Sequence, residues 1–197
     1  MSQTPFQPLP KYYFETIKCE DFEVFHLEYH QERIARTIGL NINLSEYVYP
    51  PTKQLYKCKV IYDEAGIVDI EYDLYQKREI KSFKLVVCDD IQYASKALNR
   101  DSIDSLSMQK EKCDEIIIVK NGLISDTSIA NIAIEHEGRW LSPKIPLLQG
   151  TTRARLLHDK HIVEANITLT MLKNCSRLAL MNAMIGFDEI KDYSFFE

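Results

Sequence analysis

Four places along this chain combine residue types and spacings that chemistry could use. Gly150-Thr151-Thr152-Arg153 follows a proline-bearing loop and precedes an apolar helical run. A glycine and two hydroxyl residues at a helix start offer backbone N–H groups, side-chain donors and the positive end of the helix dipole, a combination suited to a phosphate. The same residues also read as an ordinary cap, with Thr151 or Thr152 satisfying the first turn. Ser125-Asp126-Thr127-Ser128, followed by Asn131, is a polar cluster between apolar segments. A carboxylate held there could pair with a protonated heterocycle, or the cluster could be a turn rich in side-chain-to-backbone hydrogen bonds. Lys96 would form an imine only if desolvated, and an ordinary lysine is a solvated charge. His30 and Arg33, three apart on a helical pattern, either present two cationic groups on one face or form a solvated one.

The elements that must position these residues can be read from periodicity. Residues 1 to 10 read as an irregular arm. Tyr13 to Lys18 and Phe22 to Leu27 read as a strand hairpin. From Glu28, the recurrence of Tyr29, Ile34 and Ile38 predicts a helix stopped by Gly39. Leu55 to Tyr62, Gly66 to Tyr75 and Ser82 to Val87 read as strands, completing a first α+β unit over residues 1–90. The second unit, residues 91–197, begins with a segment of helical propensity from Ser95 to Lys112. Asp114 to Val119 then reads as a buried strand. Asn121-Gly122 is the clearest turn signal in the chain. Ile129 to Glu135, Arg139 to Leu141 and Ile162 to Ala165 add further β structure. Thr168 to Leu172 is expected to start the last helix, and Leu178 to Met181 to be the last strand. Strands dominate without strict βαβ alternation, so the fold class expected is α+β.

Composition excludes several function classes. The net charge of -5, with no basic run, argues against a nucleic-acid binder. A phosphorylated ligand would therefore have to be held by a local cluster of donors. The five cysteines are scattered, with no zinc-knuckle or redox spacing, and the histidines form no short metal motif. We expect reduced thiols, no metal site, no membrane span and a cytoplasmic location.

The four signals, in their order, resemble the class IV aminotransferases, also called PLP (pyridoxal 5'-phosphate) fold type IV. The family includes branched-chain and D-amino acid aminotransferases and 4-amino-4-deoxychorismate lyases. Phe14-Glu-Thr-Ile17 with His30-Gln-Glu-Arg33-Ile34 is similar to the family's early strand and H-x-x-R-L helix. Lys96-Ala-Leu-Asn99-Arg100 resembles the K-x-L-N-R segment, and Asp114-Glu-Ile the D-E-A strand. Gly122 to Asn131 resembles G-x-x-T-E-x-x-x-x-N, Leu148-Gln-Gly150-Thr-Thr-Arg153 resembles L-x-G-I-T-R, and Met181-Asn182-Ala183 matches a late N-A segment. The resemblance runs from Phe14 to about Gly186.

The resemblance implies a two-domain, D-amino acid aminotransferase-like fold with a shortened N-terminal α+β domain and a strand-rich C-terminal one. It also implies roles. Lys96 would carry PLP as a Schiff base and move the Cα proton, with Thr16 as a proton relay. Asp126 would face the pyridine nitrogen, with Asn131 in the same motif. Arg33, Gly150, Thr151, Thr152, Asn182 and Ala183 would hold the phosphate. Arg78 and Arg100 are the candidates for binding an amino-acid-like substrate. Asn99-Arg100 and Met181-Asn182-Ala183-Met184 favour a lyase that expels pyruvate from 4-amino-4-deoxychorismate and leaves 4-aminobenzoate for folate synthesis. An aminotransferase for D- or branched-chain amino acids and a non-catalytic PLP-binding relative are the alternatives. A homodimer is expected, because the family builds its site partly at a dimer contact. The sequence departs from the family in having Asp126 where Glu is usual. It also has only thirteen residues before Phe14, where a glycine-rich hairpin normally stands, and Cys175-Ser-Arg177 in place of A-D-E.

Overall fold

A computed structural model describes residues 11–197, so the arm expected over residues 1–10 lies outside the described part. The chain forms two units, each built on a sheet. In the first, β1 (Tyr13–Glu20), β2 (Glu23–Val24), β3 (Tyr56–Asp63) and β4 (Gly66–Leu74) make an antiparallel sheet in the order β2-β1-β3-β4. Asp21 and Phe22, both at positive φ, turn the first hairpin, and the second strand is only two residues long because His26, also at positive φ, caps a helix that begins at Leu27. Helix α1 (Leu27–Ile38) covers one face, and Gly39, at φ 77°, ends it by donating its N–H to the Ala35 carbonyl. Ile17, Cys19, Ile34, Cys58, Val60 and Tyr62 make the core between sheet and helix. Because side chains alternate along a strand, Phe14 and Thr16 point away from that core.

The second unit is a large mixed sheet. It contains β5 (Ser82–Val87), β6 (Glu115–Lys120), β7 (Leu123–Thr127), β8 (Asn131–His136), β9 (Arg139–Pro143), β10 (Val163–Ala165), β11 (Arg177–Asn182), β12 (Gly186–Ile190) and β13 (Ser194–Phe196). Asn121 and Gly122, at φ 51° and 75°, make the tight turn between β6 and β7. Strand β8 pairs with both β9 and β11, and touches β7 only through the pair Asp126 and Asn131. The β7–β8 pairing is thus confined to the residue that carries the carboxylate. Helices α2 (Asp101–Ser107), α3 (Thr151–His158) and α4 (Leu169–Lys173) pack around this sheet. The α+β expectation holds.

Three expectations about the elements need correction. Ser82 to Val87, assigned to the first unit with a boundary at residue 90, pairs in parallel with β6 and belongs to the large sheet. Its Phe83 and Leu85 enter the core with Ile117, Val119 and Ile132. The helix expected over Ser95 to Lys112 exists only as α2 and one 3-10 turn at Met108–Lys110. Residues before it give their backbone groups to β1 instead: Phe14 N–H donates to the Lys96 carbonyl at 2.9 Å and Leu98 N–H to Tyr12 at 2.8 Å. Finally, β11 is not the last strand. β12 pairs back on it, and β13 reaches β5, where Phe195 packs beside Phe83.

Candidate active site

Between the two units lies a cavity of about 740 Å³, and residues from both line it. Lys96 sits in it at the junction. Its loop is pinned to β1 by the two backbone hydrogen bonds above and by a bridge between Tyr13 and Ala97. The ammonium stands 4.4 Å from the centre of the Phe14 ring. Burial disfavours its charge, Arg33 adds repulsion, and the amine is pulled down to about 7, with Glu15 opposing and Arg100 adding slightly. The lysine is therefore substantially a free base near neutrality, as a nucleophilic amine must be.

Asp126 lines the same cavity from β7, fully buried. Its Oδ1 accepts a hydrogen bond from Asn131 Nδ2 at 2.8 Å, and its Oδ2 accepts one from Leu148 N–H at 2.9 Å. Burial raises this carboxyl to about 6, and the two donors hold it from going higher. Among the described residues it has no cationic partner in direct contact. A protonated heterocycle would supply one.

The Gly150 segment places α3 with its first turn on the cavity. Gly150 is the N-terminal cap residue in extended conformation, and no side chain caps the turn. The ordinary-cap reading is thus not realised: Thr151 and Thr152 are buried within the first turn rather than capping it. Uncapped N–H groups, Thr151, Asn182, Ala183 and Arg33 all border the cavity or the small cleft beside it. Asn182 shapes its own turn, with Oδ1 accepting from Met184 N–H at 2.9 Å and Ile185 N–H at 3.1 Å.

Arg33 is buried and doubly hydrogen-bonded to Glu15, with Nε donating to Oε1 at 2.8 Å and Nη2 to Oε2. His30 Nδ1 lies 2.6 Å from the same carboxylate. Burial works against the carboxylate, yet Arg33 and His30 hold Glu15 down at about 2; Arg33 is held above its ordinary value despite its own burial. The pair keeps one cationic guanidinium fixed at the cavity wall. Glu15 was not singled out in the sequence. The available signal was an acidic residue at an inward position of β1, where Ile17 and Cys19 follow, opposite a helix bearing His30 and Arg33.

The remaining expected residues also reach the cavity. Thr16 lies on its wall beside Lys59, its partner across β1 and β3. Arg100 donates to the Tyr93 hydroxyl at 3.1 Å and the Ser128 carbonyl at 2.8 Å, so its guanidinium ties the lysine loop to the β7–β8 turn. Arg78, at the mouth, approaches the buried Glu115 at 3.4 Å. Lys57 and Lys59 line the cavity too, and the sequence reading passed over both. Among the described residues no group of three or more metal-ligating side chains occurs, and no helix is long and apolar enough to cross a membrane.

A sequence-family match to amino-transferase class IV covers residues 93–193, more than half of the chain. An uncharacterized protein of Haemophilus influenzae is 35% identical over 184 residues, covering 88% of this chain and 97% of that one. A crystal structure of a provisionally named 4-amino-4-deoxychorismate lyase from Haemophilus somnus is 30% identical. It matches with a TM-score of 0.83 over 92% of this chain and 100% of that chain. A hypothetical aminotransferase from Mycobacterium tuberculosis, in its PLP-bound form, shares the fold at 14% identity. Its TM-score is 0.72, over 95% of this chain and 86% of that one. With its cavity, lysine and carboxylate in this arrangement, the chain belongs to the class IV aminotransferase family, whose members are PLP-dependent.

Proposed function

We propose that this chain is a PLP-dependent lyase that cleaves 4-amino-4-deoxychorismate to pyruvate and 4-aminobenzoate. The observation that carries the cofactor assignment is the half-buried Lys96, with its amine near 7, in one cavity with Asp126 and the uncapped start of α3. The residues fit the group. Arg33, Thr151, Thr152 and Asn182-Ala183 would take its phosphate, Lys96 its aldehyde carbon, and Asp126, with Asn131 behind it, its ring nitrogen. Gly150 admits this close packing because no Cβ fills the space at Asn131. When bound, PLP supplies an electron sink that stabilises negative charge at the substrate's Cα.

The chain's own residues supply the rest. Lys96 is the base for the Cα proton, since an amine near 7 both accepts and returns a proton at working pH. Asp126 would keep the ring nitrogen of a bound cofactor protonated. Thr16, which lines the cavity, would pass a proton to the departing enol oxygen. Arg100, through Tyr93 and Ser128, would hold the loop that carries Lys96. The lyase reading is favoured by Asn99-Arg100 after the lysine and by the 30% identical relative matched over its full length.

The test is to incubate the PLP-loaded protein with 4-amino-4-deoxychorismate and quantify both products. Equal amounts of pyruvate and 4-aminobenzoate are expected. Glutamate formed from an amino acid and 2-oxoglutarate, with no pyruvate released, would instead make the protein an aminotransferase. We also propose that the working form is a homodimer, which sedimentation equilibrium would check.

A further inference from the structure

The cavity mouth carries cations that the roles above leave unused. Lys59 and Lys57 stand on β3 and line the cavity, and Arg78 lines it from the linker between β4 and β5. In β-sheet register Thr16, Lys59 and Glu71 form one row across β1, β3 and β4, and Lys18, Lys57 and Asp73 form the next. Each β3 lysine is tethered outward: Lys59 to Glu71 at 3.1 Å and Lys57 to Asp73 at 3.0 Å.

The acids are the more exposed members of these pairs. Glu71 is 43% exposed against 26% for Lys59, and Asp73 58% against 39% for Lys57. An exposed pair of this kind is weak, so a carboxylate arriving from the cavity side can share or take the ammonium. Lys59 has three N–H donors and uses one on Glu71 among the described residues.

Arg78 is held differently. One of its nitrogens leans on Glu115 Oε2 at 3.4 Å, while Glu115 Oε1 is occupied by Ser128 and the Ile116 N–H. The guanidinium is more than half exposed and makes no other hydrogen bond among the described residues. Glu115 thus anchors the arginine by one edge and leaves its fork of donors for a ligand. Arg100, by contrast, has its donors committed to Tyr93, Ser128 and Asp104.

We infer that Arg78 and Lys59 form a two-point carboxylate clamp at the cavity mouth, selecting substrates that carry two carboxylates over those that carry one. The inference rests on the reading of this cavity as the active site. Among the described residues neither Arg78 nor Lys59 hydrogen-bonds to Lys96 or to the start of α3. In the lyase reaction, both products carry a carboxylate, so the intact substrate carries two.

The test measures binding by calorimetry to the protein as purified, with isophthalate against benzoate and glutarate against butyrate as probes. Wild type is expected to bind the dicarboxylate of at least one pair roughly tenfold more tightly than its monocarboxylate. Arg78→Gln and Lys59→Gln should each abolish most of that preference, Arg78→Lys should restore part of it, and the visible band of bound cofactor should stay unchanged. Equal affinities within both pairs, no dicarboxylate binding, or full preference retained in both glutamine variants would overturn the clamp. Failure of the cofactor reading would show separately, as absence of the visible band, with the probe preference still measurable.

Discussion

A Cβ placed on Gly150 would stand 2.0 Å from Asn131 Oδ1. Gly150 has an ordinary φ of −68°, so it is the approach of a neighbour, and not backbone conformation, that requires glycine here. Asn131 donates to Asp126 and to the Leu148 carbonyl, and so it links the carboxylate strand to the loop that starts α3. We predict that Gly150→Ala pushes Asn131 out of that link. Stability should fall by about 1–3 kcal/mol, the usual range for overpacking. Cofactor affinity should fall with it, read by thermal melting and by PLP titration. A variant with wild-type melting and affinity would show that Asn131 yields freely.

Glu15 and Arg33 are a buried pair whose rupture leaves a guanidinium uncompensated. Glu15→Gln should destabilise the protein by about 3 kcal/mol or more in urea unfolding. The folded carboxyl lies near 2, below its usual 4.5, so its contribution is present above pH 4.5 and is lost as pH falls toward 2. Wild type should lose stability over that window, and Glu15→Gln should show a flatter profile there.

Lys96, before any cofactor is attached, has its proton affinity depressed from 10.5 to about 7. Competitive labelling with acetic anhydride, followed by mass spectrometry, should give a midpoint near 7 for Lys96 and near 10 for exposed lysines. Between pH 7 and 10.5 the unfolded chain holds a proton that the folded chain has released, so stability rises with pH across that range. Lys96→Met should remove this rise and, with it, the visible band of bound PLP. A midpoint near 10 for Lys96 would contradict the desolvation of its amine in the cavity.

Arg100 acts on the lysine loop through Tyr93 and Ser128. Arg100→Met should lower kcat roughly tenfold to a hundredfold, the scale of a small misplacement of a reacting group. Because Arg100 also repels the ammonium, the Lys96 labelling midpoint should move upward. Arg100→Lys should rescue little, since an ammonium cannot span both acceptors. Reduced stability with unchanged kcat and midpoint would leave Arg100 a purely structural residue.

The sequence by itself determined the elements whose signals are local. Gly39 ended α1, Asn121-Gly122 made the β6–β7 turn, and the β3 and β4 strands lie within a residue of their expected limits. It also named Lys96, Asp126, Arg33 and Gly150, because their spacing follows a family pattern, and the fold brings all four to one cavity. Only the tertiary structure decided what long-range pairing controls. Strand β5 looked like part of the first unit but finds its partner in β6, about thirty residues on, and no local signal encodes that parallel pairing. The lysine loop had helical propensity, yet its backbone hydrogen bonds go to β1. Whether a lysine or a carboxyl is reactive depends on desolvation by residues distant in sequence. That is why Lys96 reads as an ordinary lysine in its own segment and as a depressed amine in the cavity.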